Sequence, residues 1–129
     1  MIHGGNTTLY VRDINVSIRF YTETLGLGLR MRAGDDWAEI DAGPGLILGL
    51  HPSGPHTPAP GTRGSIAIGF NVTGEIEAAI QTLQGKGVAF AGPVIEDEHV
   101  KLAFFSDPDG NGLYLCQVLH VGAHGGPPA

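Results

Sequence analysis

The chain has 129 residues, 42% of them hydrophobic, and a formal net charge of −6. That length suits one compact domain, which buries about two-thirds of the surface its unfolded chain exposes. The negative charge disfavours nucleic-acid phosphates as a partner, and no apolar run approaches the ~18 residues that suggest a membrane helix.

The opening residues, Met1-Ile2-His3-Gly4-Gly5, have neither the basic start nor the apolar core of a secretory signal, so a cytoplasmic location is expected. Strands are predicted near 6–11, 28–33, 37–42, 45–50, 65–72, 88–91, 100–106 and 112–118. A first helix runs from about Ile14 to Leu25. Asp13 is its N-cap, Val16, Phe20 and Tyr21 supply its bulk, and Gly26 ends it. Acidic residues gather at Asp35, Asp36, Glu39 and Asp41, and again at Glu96, Asp97 and Glu98; these read as solvated loops.

Residues 53–63 are rich in Pro and Gly and read as an exposed linker between two modules, 5–52 and 64–119. The second helix is predicted from Glu75 to Lys86, opened by Thr73 or Gly74 and closed by Gly85 or Gly87. Ile76, Ala79, Ile80 and Leu83 form its apolar face at i, i+3, i+4 and i+7. The two halves repeat at an offset of about sixty residues: Leu9 matches Phe70, Val11 matches Val72, and Gly26 matches Gly87. Cys116, the sole cysteine, sits in an apolar strand and reads as a small buried side chain. The tail, 122–129, has too little apolar content to pack and is expected to be disordered.

Phe105-Ser106-Asp107-Pro108-Asp109-Gly110-Asn111-Gly112-Leu113-Tyr114-Leu115 reads as strand, tight turn and strand. Pro108 presets one turn dihedral and Gly110 can take a positive φ. This stretch resembles the C-terminal signature of the vicinal oxygen chelate superfamily of glyoxalases, ring-cleaving dioxygenases and bleomycin-resistance proteins. The opening resembles it too, through Leu9-Tyr10-Val11-Arg12-Asp13, Ser17, Phe20-Tyr21 and Leu25-Gly26-Leu27. The resemblance covers about Asn6 to Val118. It implies an α+β fold of two tandem βαβββ modules whose curled mixed sheets surround a cleft.

In the family's metalloenzymes, ligands come from the first strand of each module and from late strands. The matching positions here are Asn6, Ala67 and Tyr114, with a fourth near Ile47 to Gly49. Ala67 has no donor, Asn6 is a weak neutral one, and Tyr114 is a phenol where a Glu is usual. A divalent site needs several His, Asp or Glu donors converging on one point. No metal and no cofactor are therefore expected. His3, His51, His56, His99, His120 and His124 show no chelating spacing.

Alternation along the strands sends Thr7, Leu9 and Val11 toward the helices, and Asn6, Thr8 and Tyr10 toward the cleft. Ala67, Gly69, Asn71, Tyr114 and Cys116 are assigned to the same open side. Ala67 and Gly69 are expected to leave room there. Phe104 and Phe105 must point to opposite faces. Trp37 is either a core aromatic or a stacking wall. The ligand-binding set is Asn6, Tyr10, Trp37, Ala67, Gly69 and Tyr114.

By resemblance to the family's metal-free members, the leading reading is a non-catalytic protein that sequesters an aromatic or cationic small-molecule natural product, such as an antibiotic, and works as a homodimer. The alternative is a metal-independent lyase, isomerase or oxygenase, with Glu39, His51, Tyr10 and Tyr114 as acid–base candidates. A paralogue without a ligand is a third reading.

Overall fold

The computed structural model describes Met1 and residues 5–61 and 67–119. The expectations for the 122–129 tail, His3, His120 and His124 lie outside the described residues, as do residues 65 and 66 of the strand expected to start at 65. The chain forms β1 (Thr7–Val11), α1 (Ile14–Arg19), a π-helical turn (Phe20–Thr24), β2 (Gly28–Ala33), β3 (Trp37–Asp41) and β4 (Ile47–Pro52). It continues as β5 (Ile68–Asn71), α2 (Ile76–Gly85), β6 (Ala91–Glu96), β7 (Val100–Ser106) and β8 (Gly112–Val118).

The fold is α+β, with two mixed four-stranded sheets ordered β1-β4-β3-β2 and β5-β8-β7-β6. The same order recurs, with the first strand of each half parallel to the last and the other pairings antiparallel. Two compact units result, Met1–Thr62 with Asp107–Asn111, and Arg63–Ser106 with Gly112–Ala129. The β7–β8 turn thus belongs to the first unit although both its strands belong to the second.

In the first unit Leu9, Val11, Ile14, Ile18, Tyr21, Ala38, Ile40, Leu48 and Leu50 are buried. Asp13 caps α1, its Oδ1 accepting from the N–H groups of Asn15 and Val16 at 2.9 and 3.2 Å. The buried stripe of the helix is Ile14, Ser17, Ile18 and Tyr21, at i, i+3, i+4 and i+7. Val16, expected to add bulk to the core, is instead 38% exposed. The polar Ser17 hid the true stripe from a pattern search.

The single helix expected over 14–25 is α-helical only to Arg19. It then widens: the Leu25 N–H donates to the Phe20 carbonyl, five residues back, at 3.0 Å. Within this stretch the Thr22 hydroxyl donates to the Ile18 carbonyl at 2.7 Å, a side-chain bond that competes with the regular ladder.

Strand β4 runs two residues further than expected, through His51 and Pro52. Its pairing with β3 stops at Leu50, so the missing N–H of Pro52 falls beyond that ladder. Residues 88–91 were expected to be a strand, but β6 occupies Ala91–Glu96. Pro93 lies inside this strand, and Glu96, expected in a solvated loop, ends it. The strand tolerates them because it lies at the sheet edge, with Gly92 at φ 74° and a register shift between Ala91 and Ile95.

In the second unit Ile76 and Leu83 of α2 are buried and Ala79 and Ile80 half-buried, the expected apolar face. Neither Thr73 nor Gly74 caps this helix. The cap residue is Glu75, which makes no side-chain cap bond, and the Ile76 N–H donates instead to Oε1 of Gln117 on β8 at 2.9 Å. Gly87, at φ 93°, follows the helix end as expected.

Candidate functional site

In the first unit α1 packs against β3 and β4. Leu48, Leu50, Ala38 and Ile40 are buried on that side, so alternation places Gly49, His51, Trp37 and Glu39 on the other face. Tyr10 is the register partner of His51 across the β1–β4 ladder. The three rings form a row. The His51 imidazole lies edge-on to Tyr10 at 5.6 Å and to Trp37 at 6.4 Å between centroids.

Trp37 is held in place from two directions. Its indole covers Gly49 so closely that a Cβ there would fall 2.2 Å from Cη2 of the ring. Its Nε1–H donates to Oε2 of Glu39 at 3.0 Å. Glu39 in turn lies 3.4 Å, through Oε1, from Nε of Arg30. Glu39, expected in a solvated loop, is instead paired internally with a cation. Trp37 is half-buried and keeps an exposed surface. Asn6 is exposed, and its Oδ1 accepts from the Thr8 hydroxyl at 3.1 Å.

The second unit carries its own aromatic row. Tyr114 is the register partner of both Gly69 and Phe104. Its ring lies over Gly69, where a Cβ would fall 2.3 Å from Cζ, and packs on Phe104 at 5.5 Å between centroids. The room expected over Gly69 is thus filled by Tyr114. Ala67 is exposed. Burial, and then the neighbouring Cys116, push the Tyr114 phenol above its ordinary pKa, so it stays neutral near pH 7. Cys116, assigned to the open side, is 1% exposed; it pairs in register with Asn71 and Leu102 and is covered. Phe104 and Phe105 do point apart, since Phe105 is buried and packs on Phe90 at 5.2 Å.

Of the residues proposed from sequence, Asn6, Tyr10 and Trp37 therefore lie in the first unit and Ala67, Gly69 and Tyr114 in the second. Tyr10 and Trp37 are joined through His51, which the sequence set had left out. Strand parity could have found His51, had β4 been extended by two residues. Gly49 and Arg30 carried no signal of their own.

The residues at the family's metal positions do not fit a divalent ion. Ala67 offers no donor, the Asn6 amide oxygen is taken by Thr8, and Tyr114 is a neutral phenol over Gly69. Among the described residues no group of three or more His, Cys, Asp and Glu side chains is placed to hold a metal.

Two repeated βαβββ units, each with an aromatic row on one sheet face, define a scaffold built by duplication. The chain belongs to the Glyoxalase/Bleomycin resistance protein/Dioxygenase superfamily, whose family model matches residues 5–115. It is 33% identical over 111 residues to an uncharacterised protein of Mycolicibacterium smegmatis, covering 86% of this chain and 90% of that one. Among solved structures it is similar to TnmS3, an antibiotic binding protein from Streptomyces sp. CB03234. There the identity is 30%, the TM-score 0.73, and the coverage 92% of this chain and 97% of that one. A superfamily member from Nocardioides matches with TM-score 0.70 and 23% identity over 100% of this chain and 90% of that one, a likeness of fold. No described helix is long and apolar enough to cross a membrane.

Proposed function

We propose that this protein binds a small, largely flat natural product, such as an antibiotic, and sequesters it without transforming it. The observation that carries this reading is the row Tyr10, His51 and Trp37, presented on a sheet face with Trp37 already fixed by Gly49 and Glu39. Such a surface needs little ordering when a planar molecule stacks on it. The row Tyr114 and Phe104, with exposed Ala67 two residues before the Gly69 that Tyr114 covers, is proposed as a ligand contact of the second unit. The unsuitable metal positions weigh against the family's metal-dependent chemistry, and the antibiotic-binding relative supports sequestration. The net charge of −6 favours a neutral or cationic ligand.

Sequestration works by mass action, with protein in excess lowering the free ligand. A micromolar dissociation constant needs about −8 kcal/mol, so much of the ligand must be buried. We include a homodimer in the proposal. The edge strand β2 is exposed along its whole length, with Leu29 at 47% and Met31 at 42% beside Arg30 and Arg32, and an unpaired strand edge favours pairing with another chain. Light scattering that gives a monomeric mass at micromolar concentrations removes the dimer.

The test mixes purified protein with a panel of aromatic antibiotics, follows Trp37 fluorescence, and recovers the small molecule. Saturable quenching with intact recovery supports the proposal. A chemically altered product replaces it with catalysis, for which Tyr10, His51, Glu39 and Tyr114 remain the acid–base candidates. Trp37→Ala and Tyr114→Ala each weaken binding, and Ala67→Trp blocks it while the chain stays folded.

A further inference from the structure

The first unit's aromatic row also specifies a hydrogen-bonding preference, if that row is the ligand surface proposed above. His51 Nδ1 lies 2.7 Å from the backbone oxygen of Pro52. A carbonyl oxygen can only accept, so Nδ1 must carry the hydrogen. In the neutral imidazole the other nitrogen, Nε2, then holds a lone pair and is an acceptor. The ring is exposed and stands between Tyr10 and Trp37, edge-on to both. The carboxylate on the same sheet face, that of Glu39, is already engaged. Glu39 Oε2 accepts from Trp37 and Oε1 faces Arg30.

We infer that the ligand is a flat aromatic molecule bearing a hydrogen-bond donor, a phenolic hydroxyl or a ring N–H, which it gives to His51 Nε2 while its rings lie against Tyr10 and Trp37. The backbone bond at Nδ1 fixes which nitrogen accepts, so the preference is built in before any ligand arrives. A molecule of the same outline with the donor methylated keeps the stacking and loses this bond. His51 is then the residue that separates phenols from their ethers on this face.

The test compares 2-naphthol with 2-methoxynaphthalene by NMR titration of the full chain. Trp37 Nε1–H reports contact with the face, and the His51 ring nitrogens report the hydrogen bond. The wild-type protein is expected to bind 2-naphthol about five- to tenfold more tightly than the ether, as one added hydrogen bond allows. The Nε2 nitrogen signal should move with 2-naphthol and stay in place with the ether. His51→Phe, which keeps a flat ring in the row, should bind both probes alike. Equal binding of the two by wild type, or a preference for 2-naphthol that survives in His51→Phe, overturns the inference while the proposed ligand face stands. An unmoved Nε2 signal in wild type overturns it equally, whether or not the variant folds. If neither probe shifts Trp37, the ligand face itself is wrong and the inference falls with it.

Discussion

The Tyr21 hydroxyl donates to Oδ2 of Asp107 at 2.7 Å, although 86 residues separate the two in sequence. Both groups are buried, Tyr21 completely. The acceptor sits in the β7–β8 turn, where Asp107 Oδ1 also accepts from the N–H groups of Asp109 and Asn111, each at 2.9 Å. Asp109 extends the link. Its Oδ1 accepts from Arg12 N–H at 2.9 Å, and its Oδ2 lies 3.4 Å from the Ser17 hydroxyl. The family signature Asp-Pro-Asp-Gly-Asn is thus a clamp onto the first helix.

Tyr21→Phe removes one donor and leaves Asp107 with its other partners. We expect a loss of about 1.5–3 kcal/mol in stability at neutral pH, measured by urea unfolding. Burial, and next the Asp107 charge, hold the Tyr21 phenol well above its ordinary value. A raised native pKa means that the stabilisation is complete below the unfolded value of ~10 and is lost as pH rises from there toward the native pKa. Wild type should therefore lose stability above pH ~10 more steeply than Tyr21→Phe. Parallel alkaline profiles for the two would contradict this.

Gly49→Ala places a methyl group in the Trp37 indole, 2.2 Å from Cη2, and must displace the ring. The expected result is a cost of about 1–3 kcal/mol and a red-shifted Trp37 emission, because the indole moves into water. An unshifted spectrum with unchanged stability would show that the indole does not lie on Gly49.

Gln117→Leu deprives the Ile76 N–H of its acceptor at the start of α2. Loss of a helix cap costs about 1 kcal/mol, and amide exchange at Ile76 and in the first turn should rise. If exchange there is unaltered, Gln117 is not the cap.

The purified protein should carry no stoichiometric divalent metal by elemental analysis, and chelator should leave its ligand affinity and stability unchanged. The basis is the donor chemistry of Asn6, Ala67 and Tyr114. A tight ion bound through these positions would restore a metalloenzyme reading.

The sequence alone determined what local physics controls. Asp13 was legible as a cap because a carboxylate there reaches the next N–H groups within its own turn. The α2 stripe was legible because its period is intrinsic to the helix. Strand parity sorted Leu9 and Val11 into the core. The offset repeat and the motifs around Asp13 and Asp107 gave the family and the α+β duplication. Tertiary structure decided whatever depends on partners distant in the chain. Ser17 joins the buried stripe because Asp109 meets it. Gly69 is covered because β8 brings Tyr114 beside it, and Gly49 because the Trp37 indole reaches over it from β3. Gln117, from β8, supplies the cap that Thr73 and Gly74 do not. His51 gains its place between two rings only once β1, β3 and β4 are in register. Register and long-range hydrogen bonds are properties of the assembled chain, and no window of neighbouring residues contains them.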